Sequence, residues 1–166
     1  MSEILQYILY YGDKAMIVIC LVPVFMSLKN KNWPIFSFAL LYITAVALRH
    51  ILSSYYSDFP QEEKVYIWYQ TFEYLFFGTF IASVALHALL LWTTTKAIKC
   101  IYVLMTINVC FYAFMHWQRN IMGWNEYDWT WDLYTWIVVP INYIIIGILL
   151  VASIKGVQGR DGHSIS

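Results

Sequence analysis

Charged residues are scarce in this sequence of 166 residues, and their scarcity argues against a soluble fold. Asp, Glu, Lys and Arg make up 12% of the chain, while hydrophobic residues make up 61%. Soluble domains contain about 25% charged residues, so a soluble fold of this size would have too little polar material to cover its surface. The ten basic and ten acidic residues cancel, which leaves no basic field for nucleic acid. The sequence therefore predicts an integral membrane protein that has lipids as partners and binds no nucleic acid.

Cysteine is also rare, and motifs for catalysis or metal binding are lacking. The three cysteines, Cys20, Cys100 and Cys110, form no C-x-x-C pair. The last two would lie about 15 Å apart on one helix, too far for a disulfide. No G-x-S-x-G motif occurs, and no His, Cys and Glu residues have the spacing of zinc or iron–sulfur ligands. We therefore expect a non-enzymatic protein without a metal site.

Long apolar segments, by contrast, predict an all-α fold: a polytopic transmembrane helix bundle that forms one domain over residues 1–155. A helix needs about 20 apolar residues to cross a bilayer, and the predicted spans are 7–28, 34–54, 66–92, 98–117 and 133–154. The uninterrupted part of the first, Ala15 to Leu28, would rise only about 21 Å, so four spans are the alternative to five. The polar, glycine-rich residues 156–166 are predicted to be a disordered cytoplasmic tail.

The basic residues indicate how the spans are oriented. If five spans alternate, one side of the membrane receives Lys29, Lys31, Lys96, Lys99, Lys155 and Arg160. Most acidic residues outside the spans then fall on the other side. Because Lys and Arg are enriched in cytoplasmic loops, we expect the N-terminus outside and the C-terminus in the cytoplasm. Four spans would break this alternation.

Tryptophan is concentrated around the start of the last span. Trp124, Trp129, Trp131 and Trp136 occur within a short stretch, at the level where aromatic rings prefer the boundary between lipid and water. One interpretation is an aromatic belt along the outer surface of the membrane, with an amphipathic helix from 120 to 131. The other is a docking surface for a partner protein.

Ionisable residues within the spans are the candidate functional residues, because each is costly to place in hydrocarbon. Most of them fall at one depth in the outer half of the membrane, and only His87 belongs to the inner half. This predicted polar layer consists of Asp13, Lys14, Arg49, His50, Glu73 and His116. In a structural interpretation, Arg49 pairs with Glu73 or Asp13 and fastens the bundle. In a functional interpretation, the layer is a vestibule that binds or conducts a small polar species.

A haem site is a further alternative within the polar layer. A b-type haem held by two histidines needs imidazoles from facing helices at one depth, and His50 and His116 satisfy the depth requirement. The sequence does not specify the helix faces on which they lie, and it offers no second pair. We therefore expect no cofactor and keep haem b as the alternative.

Small and amide side chains predict where helices approach one another. Gly78 and Ala82 form a small-x-x-x-small step in the third span, which lets a neighbouring helix pack closely. Asn108 and Asn142 fall near the middle of the fourth and fifth spans, where an amide needs a partner. We expect a hydrogen bond between them, across helices of one chain or across subunits.

Three functions fit these features. The first is a non-enzymatic membrane subunit, a sensor, scaffold or effector, that forms homo-oligomers and works with a partner protein. A bacterial inner (plasma) membrane and a stress or anti-phage defence system would be its setting. The second is a small oligomeric channel or transporter with the polar layer as its vestibule. The third is an electron carrier that holds haem b at His50 and His116.

Overall fold

Five long helices make up most of the described chain. The computed structural model describes residues 3–124, 126 and 128–155, and all side chains in them other than those of 3–10, 13, 61 and 62. The helices are α1 (Glu3–Lys29), α2 (Trp33–Tyr55), α3 (Gln61–Leu89), α4 (Lys96–His116) and α5 (Trp129–Ile154). The described residues contain no strand, so the predicted all-α class is confirmed. The predicted tail, 156–166, lies outside the described residues.

Four of the helices have the length and composition of membrane spans. The candidate spans are Trp33–Asp58, Glu63–Leu89, Lys96–Ile121 and Trp129–Ile154. Each exceeds the roughly 20 residues that a helix needs to cross the hydrocarbon core. The chain is therefore a multi-pass membrane protein, as its composition predicts. α1 has 27 residues, and the part of it with described side chains begins at Tyr11.

The helices form a closed ring in chain order. Each helix packs against the next, α5 returns to α1, and α2 and α5 also meet across the centre. Consecutive helices run antiparallel, so α5 and α1 are parallel neighbours. The α2–α3 and α4–α5 connections lie at one end of the ring, called the Asp58 end below, and the end of α5 lies at the other, called the Lys155 end. There the Asn30 amide donates to the Ser153 carbonyl at 2.8 Å, which joins the α1–α2 turn to α5.

Short-range sequence signals explain where three helices begin. Pro34 lies in the first turn of α2, where a missing N–H leaves no hydrogen bond unmade. The Thr95 hydroxyl caps α4 by accepting from the Ile98 N–H at 3.3 Å, and the Asp128 carboxylate caps α5 by accepting from the Thr130 N–H at 3.0 Å. Each cap satisfies a backbone donor that the helix itself cannot.

Two helices end in left-handed residues. The backbone turns that close α1 and α3 place Lys31 at φ 53° and Leu91 at φ 51°, and the Trp92 N–H donates back to the His87 carbonyl at 3.0 Å. This pattern terminates a helix because the left-handed residue reverses the chain. α3 therefore ends at Leu89, before the limit at Trp92 that the apolar run predicts.

A buried arginine organises the connection between α4 and α5. α4 continues as a π-helical segment, Trp117–Ile121, and Arg119 within it is 1% exposed. Its guanidinium donates to the Asp128 carboxylate and to the Thr130 hydroxyl, both at 2.6 Å. It also donates to backbone carbonyls of the connection and lies over the Trp131 ring, 4.7 Å from its centroid. Buried cations need such partners, because an unpaired charge in a protein interior is very costly.

The predicted amphipathic helix from 120 to 131 is wrong. The described residues between Met122 and Asp128 are not helical, and α5 begins at Trp129. The carbonyls of Trp124 and Glu126 accept hydrogen bonds from Arg119, so these carbonyls are not free to accept hydrogen bonds along a helix.

The Thr130 hydroxyl, together with Arg119, hydrogen-bonds the Asp128 carboxylate and holds the pKa of that carboxyl below its ordinary value.

The small residues of α3 lie on the outside of the bundle. Gly78 and Ala82 are exposed, and a Cβ atom added at Gly78 would meet nothing within 4 Å. Within the part of the chain that the structure describes, these two residues therefore do not bring α3 close to another helix. The inward face of α3 carries Tyr69, Phe72 and Phe76, whose large rings set the distance to its neighbours.

Candidate functional site

A cavity of about 650 Å³ lies between the helices at the Asp58 end. All five helices contribute to its lining, which includes Met16, Arg49, Lys64, Tyr112 and Asn142. Ser54 and Ser57, which also line it, are exposed at the end of α2 and mark its mouth. Small-molecule sites typically have volumes of about 300–1,000 Å³, so the cavity has the size of a ligand site.

The lining changes with depth. Arg49 lies about 9 Å below the end of α2. Asn142 lies about 20 Å below the start of α5. The wall between them is mostly aromatic and apolar and includes Phe72, Val138 and Val139. The cavity thus has a charged upper part, an apolar wall and an amide at its floor.

The floor is a hydrogen-bonded group of three side chains. The Asn142 Oδ1 atom accepts from the Asn108 amide at 3.0 Å and from the Tyr42 hydroxyl at 3.1 Å. The bond expected between Asn108 and Asn142 is therefore present, and it joins helices of one chain. Tyr42 adds α2 to the pair, so the group ties three helices together near the middle of the bundle.

The cavity is blind below this floor. One turn towards the Lys155 end, α2, α4 and α5 place Phe38, Met105 and Ile145 in the centre, each with no exposed surface. Phe38 stacks on Tyr42 with ring centroids 6.0 Å apart. Because this layer is apolar and filled, polar molecules that enter the cavity meet a closed end.

Glu73 contacts His116 and not Arg49. The Glu73 Oε2 atom lies 3.4 Å from His116 Nδ1, between α3 and α4. Thr71, about 200° away around α3, instead shares a hydrogen bond of 3.3 Å with Tyr56 after the end of α2. Since Thr71 is on the side of α3 that faces α2, Glu73 faces α4. The predicted pairing of Arg49 with Glu73 is therefore wrong.

The rest of the predicted polar layer divides between the cavity wall and α1. Arg49 and His50 line the cavity, and Lys14 is exposed on α1. Each of these three residues also interacts elsewhere within the chain. The side chain of Asp13 lies outside the described residues, so its pairing with Arg49 stays a prediction. The single polar layer expected from depth is therefore not formed by the described side chains. Two of its residues line the cavity, Lys14 is exposed on α1, and Glu73 and His116 meet between α3 and α4.

His50 and His116 do not share a site. His50 lines the cavity, whereas His116 is not among the residues that line it. His116 lies against Glu73 and the Tyr66 ring, with ring centroids 6.1 Å apart. α2 and α4 are also separated by α3 in the ring. The geometry therefore does not bring together the two imidazoles that the haem alternative requires.

His87 is the centre of a second buried polar cluster, towards the Lys155 end. Its Nε2 atom lies 3.2 Å from the Pro34 carbonyl oxygen and 3.1 Å from the Ser37 hydroxyl. Because a carbonyl can only accept, Nε2 carries the hydrogen and Nδ1 accepts from the Tyr102 hydroxyl at 2.9 Å. Ser83 lies 3.0 Å from that hydroxyl. The cluster joins α2, α3 and α4, and the sequence pattern singles out only His87 among its members.

Lys64 is the charged residue of the described cavity lining that the sequence did not reveal. The third span is predicted to begin at Tyr66, but α3 begins at Gln61, and this additional turn carries Lys64 to the cavity. The acidic residues beside it, Glu62 and Glu63, make the segment resemble an ordinary loop.

A comparison of the chain with protein-family models, curated proteins and solved structures finds no match in any of the three, so its function is argued from this geometry.

Proposed function

We propose that this protein is a non-enzymatic membrane subunit that binds a small molecule in the cavity at its Asp58 end and signals the occupancy to a partner protein. The blind cavity of about 650 Å³ carries the proposal. Its lining combines apolar walls with a few polar groups that can orient a ligand, as in small-molecule sites generally. Because all five helices line it, an occupant contacts every helix and can change how they pack.

A channel or transporter is the weaker alternative. A path through one chain would have to cross the layer below Asn142, where Phe38, Met105 and Ile145 are fully buried. A pore between subunits would not use the cavity. The haem electron carrier is weaker still, because His50 and His116 lie in different surroundings.

All five helices cross the membrane in this proposal, with the N-terminus outside. α1 has 27 residues and would rise about 40 Å, more than the roughly 30 Å of a hydrocarbon core. Among the described residues, the Lys155 end carries no carboxylate. It carries five lysines, Lys29, Lys31, Lys96, Lys99 and Lys155. The positive-inside rule assigns this end to the cytoplasm. The cavity then opens on the outer side.

Two exposed surfaces support the proposed assembly. Trp129 and Trp136 at the Asp58 end are 70% and 76% exposed, and exposed aromatic residues suit either the membrane interface or a partner protein. Gly78 and Ala82 leave a shallow strip on the outside of α3, where a second copy could pack closely. A bacterial inner membrane and a role in stress or anti-phage defence stay predictions.

Filling the cavity tests the function. Small molecules that co-purify with the protein would be identified by mass spectrometry for the wild type and for Val139→Trp, whose indole would occupy the cavity. Val103→Trp is the matched control, because it makes the same substitution at an exposed position of α4 that does not line the cavity. We expect a compound that is retained by the wild type and by Val103→Trp and is lost from Val139→Trp. Equal recovery from all three proteins would contradict the proposal.

A further inference from the structure

Two cationic side chains line the upper part of the cavity, Arg49 from α2 and Lys64 from the first turn of α3. No Asp or Glu is among the described residues that line it. Asp58 is close by, but it accepts from the Ser57 hydroxyl at 3.2 Å and does not itself line the cavity. Arg49 has another interaction within the chain, yet a guanidinium carries five N–H donors and can hold two partners. The charges of the described lining residues therefore favour an anion.

The deeper part of the cavity favours an apolar group. Met16, Phe72, Val138 and Val139 line it from three helices. They lie over the roughly 10 Å of depth between Arg49 and Asn142. A simple inorganic anion would leave this volume unfilled, and a neutral apolar molecule would offer no charge to the Lys64 ammonium or to the remaining guanidinium donors of Arg49. Only a molecule with both parts satisfies the whole lining.

We infer that the ligand is an anionic amphiphile, with a carboxylate or phosphate group at Arg49 and Lys64 and an apolar body that reaches towards Asn142. The inference rests on the proposed function, since it assigns the ligand class of that cavity. Charge-assisted hydrogen bonds from a guanidinium and an ammonium hold the anionic group. Burial of the apolar body against Phe72 and Val139 adds the hydrophobic contribution.

Three probes with the same tail test the ligand class. Decyl phosphate, decanol and decyltrimethylammonium would be titrated into the full-length protein in an uncharged detergent, and the midpoint of thermal unfolding would be followed. A ligand that binds only the folded state raises this midpoint, and the rise grows with the logarithm of the ratio of ligand concentration to dissociation constant. We expect decyl phosphate to raise it by several degrees and to bind at least tenfold more tightly than the other two probes.

Charge-removing variants locate the effect. Arg49→Gln and Lys64→Gln should each weaken the apparent affinity for decyl phosphate about tenfold, since a charged hydrogen bond contributes roughly that factor. Lys64 is half-buried at the mouth, so its variant is informative even if Arg49→Gln fails to fold. Lys99→Gln is the control, because Lys99 is exposed near the Lys155 end. An equal loss in Lys99→Gln would overturn the assignment of the site.

The remaining outcomes separate this inference from the proposed function. If decanol or decyltrimethylammonium binds as tightly as decyl phosphate, the anionic class is wrong while ligand binding in the cavity stands. If no probe binds and Val139→Trp retains the same co-purified compounds as the wild type, both are wrong. The source of the ligand is decided in nanodiscs. If the protein responds to decyl phosphate in phosphatidylcholine nanodiscs but not in phosphatidylglycerol nanodiscs, the anionic lipid competes for the cavity and the ligand is a membrane lipid. If the response is equal in both, the ligand is a water-borne amphiphile.

Discussion

Arg119 is the most completely buried charged side chain among the described residues, and its carboxylate partner is only partly covered. The side chain of Arg119 has no exposed surface, whereas 32% of the Asp128 side chain is exposed. Removing one partner of such a pair leaves the other charge uncompensated. The geometry of the α4–α5 connection therefore depends on the ionised state of Asp128, which can be changed from the solvent.

Acid should loosen the α4–α5 connection. The pKa of Asp128 is lowered in the folded protein by the Thr130 hydroxyl and by Arg119, so the folded state binds this proton more weakly than the unfolded state does. The stabilisation is complete above the unfolded pKa of about 4 and is lost as the pH falls through the lower folded value. The amides of this connection that are hydrogen-bonded in the structure should lose hydrogen-exchange protection as the pH falls below about 4, measured as a protection factor corrected for intrinsic rates; they are those of Met122, Trp124, Thr130 and Trp131.

Two variants check that Asp128 is the responsible group. Asp128→Asn should lower the protection of this segment near neutral pH to the level that the wild type shows in acid, and it should abolish the acid dependence, because the amide no longer titrates. Asp58→Asn removes a carboxylate at the same end of the molecule that does not contact Arg119, and it should leave the acid dependence unchanged. An unaltered pH profile in Asp128→Asn would show that another group controls the segment.

The sequence predicts the depth of a residue better than its partner. Counting 1.5 Å per residue is enough to place Asn108 and Asn142 at one level, and they do hydrogen-bond. The partner of Glu73 was predicted wrongly, because it depends on how α3 is rotated and on which helix lies on each side of it. His116 meets Glu73 since α4, and not α2, faces that side of α3.

Left-handed residues at the ends of α1 and α3 have an unfavourable backbone conformation. Leu91 adopts φ 51°, a conformation that costs an L-residue with a Cβ atom about 1–2 kcal/mol. Leu91 is 89% exposed, so its side chain contributes little packing. The Schellman turn at this position normally carries glycine.

Leu91→Gly should therefore stabilise the protein. We expect a gain of about 1 kcal/mol in the free energy of unfolding, after the greater chain entropy of glycine offsets part of the relieved strain. The measurement is denaturation in mixed micelles. Leu48→Gly is the matched control, since Leu48 is also exposed but lies in the interior of α2; there glycine should cost about 1 kcal/mol. Equal effects of the two substitutions would contradict the assignment of strain.

The helices themselves were predictable, and their ends less so. Apolar runs predict the four candidate spans because lipid requires continuous apolar segments. The left-handed turn at Leu91 contains no glycine that would predict it. The conformation of the α4–α5 connection is set by the contacts of Arg119 with residues further along the chain. Contacts of this kind depend on the tertiary structure and leave no local pattern.

Across the whole molecule, charge is distributed unevenly between the two ends. This asymmetry predicts that Glu3 and Ser57 lie on one side of the membrane and Lys155 on the other, if α1 crosses. Single cysteines at these positions, in a background in which Cys20, Cys100 and Cys110 are alanine, would be labelled on intact cells with an impermeant maleimide. We expect labelling of Glu3→Cys and Ser57→Cys, and of Lys155→Cys only after lysis. With four spans, Glu3→Cys would behave like Lys155→Cys.

The contact between α5 and α1 has a consequence for biosynthesis. Met16, near the start of the chain, and Asn142, near its end, line the same cavity, and Asn30 is bonded to Ser153. During translation, one flank of α1 and one of α4 therefore stay uncovered until α5 has been made. Nascent chains stalled before α5 should be recognised by membrane chaperones and proteases, and release from them should coincide with completion of the ring.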